Sequence, residues 1–138
     1  MMAIRARNDP RTGENRAALA ILVVDDEPLI RWSLREALRG HGHVVSTAST
    51  AAEALRVVAD KSGHFDVVVL DYRLPDRHDL SLLKEIQAAS PASSVVMMTA
   101  FADDDMRAQA LARGVRAVVD KPFQLKSFVS AIESAVAS

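Results

Sequence analysis

Five polar residues stand where predicted apolar strands end. Asp25 and Asp26 follow the run Ala20–Val24, Asp71 follows 65–70, Thr99 follows 95–98, and Lys121, preceded by Asp120, follows 117–119. Three carboxylates brought together repel one another, and without compensation at least one has a raised pKa. A hard divalent cation such as Mg2+ relieves that repulsion, because it accepts a few carboxylates, a carbonyl and waters. Lys121 adds a compact positive charge, and Thr99 a neutral hydroxyl donor. A carboxylate nucleophile, a metal, an ammonium and a hydroxyl suit phosphoryl transfer, with an oxygen of Asp71 attacking and the cations neutralising charge on the phosphoryl oxygens. Singly, each residue has a plainer use: an aspartate or threonine at a strand end caps the next helix, and a lone lysine lies on the surface. Their joint placement carries the functional reading.

The elements that must position these residues can be read from hydrophobic period. Ala20–Val24 is a short apolar strand. Pro28 sits where a first helical turn tolerates it. Ile30, Leu34, Ala37 and Leu38 follow at helical spacing, and Gly40 and Gly42 end the helix. Val44–Ala48 is a second strand. Thr50 and Glu53 form a capping-box pattern before a helix faced by Ala51, Leu55 and Val58. The β-branched run at 65–70 suits a strand buried on both faces. A third helix (Leu80, Leu83, Ile86), a strand at 95–98, a fourth helix at 103–113, a strand at 117–119 and a last amphipathic helix (Leu125, Phe128, Val129, Ile132, Val136) complete the order. Asp103–Asp104–Asp105 suits a helix start, where negative charge meets the helix dipole.

Five βα units in succession predict an α/β fold with a parallel sheet covered by helices on both faces. In open sheets of this kind ligands bind outside the carboxyl ends of the strands, which is where the polar residues fall. Residues 1–18, with four arginines and no clear period, are expected to be a flexible N-terminal tail, and 19–138 one domain.

Composition excludes several classes. At 138 residues the chain suits one domain. It has no cysteine, which rules out a disulfide scaffold, a thiolate metal site and cysteine catalysis. A formal net charge of -1 calls for neither nucleic acid nor an anionic membrane. There is no bilayer-length apolar run and no signal-peptide pattern, so the expected location is the cytoplasm. His41, His43, His64 and His78 lack metal-ligand spacing and are expected on the surface or in loops. Trp32 and Tyr72 have no stacking partners visible in the sequence.

From about Leu19 onward the sequence resembles the receiver domain of two-component response regulators. The resemblance rests on ILVVDDEP for the acidic pair, VVVLDYRLPD for an acceptor, VVMMTAF for the hydroxyl strand and VVDKPF for the lysine. It implies a flavodoxin-like, chemotaxis-receiver-like (βα)5 three-layer sandwich with five parallel strands in the order 2-1-3-4-5. It implies that Asp71 is the phosphoacceptor, that Asp26 and Asp71 ligate Mg2+ by side chain and Arg73 by its backbone carbonyl, and that Asp25 holds a metal-bound water. Thr99 would hydrogen-bond the acyl phosphate and Lys121 would ion-pair with it, next to a cis Lys121–Pro122 bond. Ala100 leaves room for the phosphoryl group.

The implied donor is a histidine kinase, a histidine phosphotransfer protein or a small acyl phosphate. The receiver would catalyse its own phosphorylation and dephosphorylation without being a metabolic enzyme. The face made by the fourth helix, fifth strand and fifth helix would switch, read by an output partner or fused output domain, with a homodimer through that face a further possibility. No membrane or direct nucleic-acid contact is expected of this segment.

The chain departs from the family pattern at two places. Val118 stands where a Tyr or Phe usually moves inward, and Phe101, two after Thr99, is the aromatic that would substitute. Asp79 stands where a glycine is common and suits a helix cap. Arg73 and Phe101 flank the site and should tune hydrolysis. Other classes fit less well. A dehalogenase-type hydrolase needs a second aspartate where Arg73 stands, and Asp25–Asp26–Glu27–Pro28 occupies the place of a nucleotide-binding glycine loop. A receiver-like interaction module independent of phosphorylation is the alternative that the Val118 departure keeps open.

Overall fold

A computed structural model of the chain describes residues 6–8, 15–60, 64–77, 80–100 and 103–137. Its main sheet has five parallel strands: β3 (Ala20–Val24), β4 (Val44–Ala48), β5 (Val67–Asp71), β6 (Ser94–Thr99) and β7 (Ala117–Asp120). They lie in the order β4-β3-β5-β6-β7, the 2-1-3-4-5 order when the sheet strands alone are counted. Five helices alternate with them: α1 (Pro28–Gly40), α2 (Ala51–Ala59), α3 (Ser81–Ala89), α4 (Asp104–Ala112) and α5 (Leu125–Ala137).

Strand periodicity sorts the core into two layers. Successive side chains point to opposite faces of the sheet. Ile21, Val23, Val67, Val69, Val96 and Met98 therefore pack with Leu34 and Leu38 of α1 and with Phe128 and Ile132 of α5. Leu22, Val24, Val68, Leu70, Val95 and Met97 face the other way, onto Ala51 and Ala54 of α2, Leu83 and Ile86 of α3, and Met106 and Ala110 of α4. Every residue of β5 is buried, which is why that strand reads as a continuous apolar run without alternation.

Local chemistry sets the helix ends. Pro28 opens α1, and Gly42, at a φ of 91°, lets the chain turn back into β4. At α2 Thr50 caps as read, its Oγ1 accepting from the Glu53 amide at 3.1 Å, while Glu53 Oε1 reaches one residue further back and accepts from the Ser49 amide at 2.6 Å. Asp103 caps α4 by accepting from the Met106 amide at 2.7 Å. The residue preceding α3 is Leu80, which makes no side-chain cap, and Asp79, the cap expected from sequence, lies outside the described residues.

Two features could not be read from the sequence. Within the N-terminal segment, which shows no period in sequence, β1 (Ala6–Asn8) and β2 (Asn15–Ala17) pair antiparallel, Ala6 opposite Ala17. Three-residue strands are too short to show an alternation. His43, expected on the surface or in a loop, does stand in the connection between α1 and β4 but is buried at 5% exposure. The Leu19 amide donates to its Nδ1 at 3.0 Å, so Nε2–H donates to Glu133 Oε2 at 2.8 Å. The turn at Gly42 carries this imidazole under the start of β3, where α5 supplies the carboxylate. His78 lies outside the described residues.

Candidate functional site

The order β4-β3-β5-β6-β7 reverses direction at β3 and β5, since the chain crosses from β3 outward to β4 and then back past β3 to β5. A crevice opens at the carboxyl ends of strands at such a switch point. Asp25 and Asp26 leave β3 there, and Asp71 ends β5 beside them. One carboxylate oxygen from each lies within 4.8 Å of the others. Among the described residues this is the acidic group with the spacing of a metal site. Three hard oxygen donors suit a hard divalent ion, so the residues present fit the cation expected from sequence.

Lys121 reaches into this group from the end of β7. Its Nζ lies 2.8 Å from Asp25 Oδ2 and 3.1 Å from Asp71 Oδ2. Burial alone would lower the ammonium pKa, but its hydrogen bonds and charge interactions with Asp25 and Asp71 outweigh burial and hold it above the usual lysine range. Asp71 is 5% exposed. Burial first, and the Asp25 charge second, push its carboxyl up to about 6, against the opposing pull of Lys121 and of the Arg73 amide. That amide donates to Asp71 Oδ1 at 3.1 Å. Asp71 is thus buried and held in one orientation.

Asp25 is fully buried and oriented from two sides. Its Oδ1 accepts from the Glu27 amide at 2.8 Å, and its backbone carbonyl accepts from Arg31 Nη1 at 2.7 Å. Asp26 is exposed beside it. Thr99 ends β6 at 1% exposure, opposite Asp120 in the register, and its carbonyl accepts from the Lys121 amide at 2.8 Å. The two polar residues that end β6 and β7 are therefore coupled through the backbone. The Lys121–Pro122 bond is cis, and Pro122 is exposed. Arg73 and Ala100 are exposed, and Phe101 lies outside the described residues.

Val118 is half-buried against the core layer that includes Met106. Its carbonyl accepts from Arg107 Nη1 of α4 at 3.1 Å, and Arg107 Nη2 lies 2.8 Å from Asp120 Oδ1. An arginine from α4 thus covers the strand position where the sequence lacks an aromatic.

Sequence reasoning missed three contributors. Glu27 Oε1 stands 3.4 Å from Lys121 Nζ, at the edge of the cluster. Its place beside the acidic pair was the available signal. Arg31 was hidden because its role uses a backbone carbonyl six residues away. Asp76, in the segment after Asp71, accepts from the α2 amides of Ala51 at 2.8 Å and Ala52 at 3.0 Å, a contact that no local pattern announces.

Comparison with known proteins bears on this geometry. Residues 21–133 match the family model of the response regulator receiver domain. The chain is similar to the DNA-binding transcriptional regulator NtrC of Escherichia coli strain K12, 37% identical over 116 residues, covering 84% of this chain and 24% of that protein. It is also similar to the transcriptional regulatory protein KdpE of Mycobacterium tuberculosis strain H37Rv, at 39% identity over 84% of this chain and 50% of that protein. The chain therefore spans about a quarter to a half of the length of these two relatives. Among solved structures, a receiver domain from Clostridium thermocellum superposes with a TM-score of 0.78 at 30% identity, covering 86% of this chain and 94% of that one. The non-phosphorylated HemR receiver domain from Leptospira biflexa gives 0.79 at 30% identity, covering 87% and 95%.

Proposed function

Because this chain belongs to the response regulator receiver family, we propose that it is a Mg2+-dependent phosphoswitch whose acceptor is Asp71. The observation that carries the proposal is the buried lysine bridge. Lys121 holds Asp25 and Asp71 together at the mouth of a three-carboxylate site, so that a nucleophile, a cation site and a fixed ammonium share one crevice.

In the proposed reaction an Asp71 oxygen attacks the phosphorus of a phosphohistidine on a sensor kinase or phosphotransfer protein. The new O–P bond forms as the N–P bond breaks, and the imidazole leaves. Asp26 and Asp71 side chains and the Arg73 carbonyl would hold Mg2+, with Asp25 holding one of its waters. The ion supplies neutralisation of charge on the phosphoryl oxygens. Lys121 is already charged and needs only to exchange its contact with Asp71 for one with the phosphoryl group. Thr99 donates its hydroxyl to the same group, and the small Ala100 leaves space beside it. Arg73 and, by the family pattern, Phe101 would tune hydrolysis of that group.

Movement of Thr99 and Lys121 reaches β7 through their shared backbone bond, and alters the face formed by α4, β7 and α5. That face is the proposed surface for an output partner or fused output domain, and for a homodimer. Transcriptional regulation, named for the curated relatives, is the corresponding output class, and the cytoplasm the proposed location. Among the described residues no helix is long and apolar enough to cross a membrane.

The test is the intact mass of wild type and Asp71→Asn after incubation with acetyl phosphate and Mg2+. A gain of one phosphoryl group in the wild type, absent in the variant and absent without metal, is expected. No gain under conditions that label another receiver would leave a docking module that works without phosphorylation.

A further inference from the structure

Residues 72–77, which follow Asp71, are tied to both α2 and α3. Leu74 is buried at 3% exposure, in the same core layer as Ala51 and Ala54 of α2. Leu74 and Arg77 close a tight turn, the Leu74 amide donating to the Arg77 carbonyl at 2.8 Å and the Arg77 amide to the Leu74 carbonyl at 3.3 Å. Arg77 Nη1 donates to Ser81 Oγ at 2.9 Å and pairs with Glu85, both on α3. At the apex of the turn Asp76 spans to α2, each carboxylate oxygen taking one amide of the first helical turn. Those two amides hold the Asp76 carboxyl below the usual aspartate range.

The start of α2 also carries a cap of its own. Four amides at a helix N-terminus lack intrahelical partners. Thr50 serves one of them: its side chain takes the Glu53 amide, while its carbonyl accepts the first helical bond, from Ala54. Asp76 takes two more, Ala51 and Ala52, from 25 and 24 residues away. A residue of α2 could have capped them locally. Served from the loop instead, they tie a rigid helix to the stretch that begins at Arg73, whose amide orients Asp71 Oδ1.

We infer that Asp76 is a positioning residue for the metal site: by clamping the turn 74–77 to α2, it fixes the Arg73 backbone at the geometry that site requires. This deepens the proposed function and rests on it. The physical basis is preorganisation. A small divalent ion tolerates little deviation in ligand geometry, and a ligand carbonyl on a free loop must be ordered when the ion binds. Outer groups that orient ligands change metal affinity by about 10–100-fold when removed. The latch supplies no ligand itself. It acts through the backbone of Arg73.

The experiment is a calorimetric Mg2+ titration of the full chain as wild type, Asp76→Ala and Thr50→Ala. Thr50→Ala is the matched control. It removes a cap from the same helix turn and leaves the loop latch in place. Asp76→Ala is expected to weaken Mg2+ by about tenfold or more, with Thr50→Ala within about twofold of wild type, the expectation for a group that orients no ligand. If both variants weaken binding alike, the role of Asp76 is only to stabilise α2, and the inference is overturned. An unchanged affinity in Asp76→Ala overturns it as well. If Asp76→Ala does not fold, Asp76→Asn keeps one acceptor oxygen and is expected to show a smaller loss in the same direction, with wild-type affinity there overturning the inference. No binding heat in the wild type under any condition tested would overturn the metal reading of the site, and this inference with it.

Discussion

The segments that leave the sheet on either side of Asp71 are held very differently. Toward α2 and α3, the stretch after Asp71 is fixed by a closed turn, a buried Leu74 and side-chain bonds to two helices. Toward α4, little holds the helix down. Among the described residues, Met106 and Ala110 are its buried ones, and its side-chain ties are the Asp103 cap, the Arg107 contact with β7 and one bond from Gln87 Nε2 to the carbonyl of its C-cap, Arg113, at 2.6 Å. The sequence DDMRAQALA offers no broad apolar stripe, so α4 cannot bury a face as α3 does with Leu82, Leu83 and Ile86. One side of the site is built to keep atoms in place. The other can change its packing at small cost, as an element that responds to a new charge must.

Replacing core residues should show the asymmetry most strongly. Ile86→Ala on α3 is expected to lower unfolding free energy by about 2–5 kcal/mol in urea titration. In the wild type, amide hydrogen exchange should run faster across α4 than across α3. Equal protection of the two helices would break the comparison.

An opposite sign is expected at Asp71. Its carboxyl is raised to about 6 in the fold, so between the ordinary aspartate value and about 6 the folded state binds more protons than the unfolded one. Stability then falls as pH rises through that window. In metal-free protein, Asp71→Asn should gain on the order of 1–3 kcal/mol at pH 7. The gain should shrink as pH falls toward 5. Thermal melts in chelator at several pH values would test this, and a loss of stability at pH 7 would mean that Lys121 needs the charge more than burial opposes it.

Smaller effects separate the two ties of α4. Asp103→Ala removes a cap worth about 1 kcal/mol, and the loss should appear as faster exchange confined to α4. Arg107→Ala removes a half-exposed ion pair and one bond to a strand carbonyl, for a global loss of roughly 0.2–1 kcal/mol. Its signature is local: exchange should rise in α4 with α3 unchanged. A loss of protection spreading into α3 would show that the two sides are not independent.

Much of this arrangement was legible in the sequence because it is encoded locally. Apolar runs followed by Asp25, Asp26, Asp71, Thr99 and Lys121 mark strand ends within a few residues, and parallel topology does the rest. The capping box at Thr50 and the helix start at Asp103 are three-residue signals. The parts that stayed hidden depend on partners brought close only by the fold. His43 takes its partners from Leu19 and Glu133, 24 and 90 residues away. Asp76 reaches back to α2, and Arg107 reaches forward to Val118 and Asp120. Polar side chains like these look the same in sequence whether solvated or bonded.

The fully buried β5 has a consequence before the chain folds. Its run Val67–Val68–Val69–Leu70 is three β-branched valines and a leucine, uncharged and free of proline, the kind of segment that stacks with copies of itself when unprotected. Asp66 and Asp71 stand immediately at its two ends. A negative charge at each flank opposes such self-association in a nascent or refolding chain. Asp71 is thus a gatekeeper for solubility as well as part of the site, and neutral replacements made to silence the site will also remove one of the two guards. Refolding yields of Asp71→Asn should fall below those of Asp71→Glu, which keeps the charge.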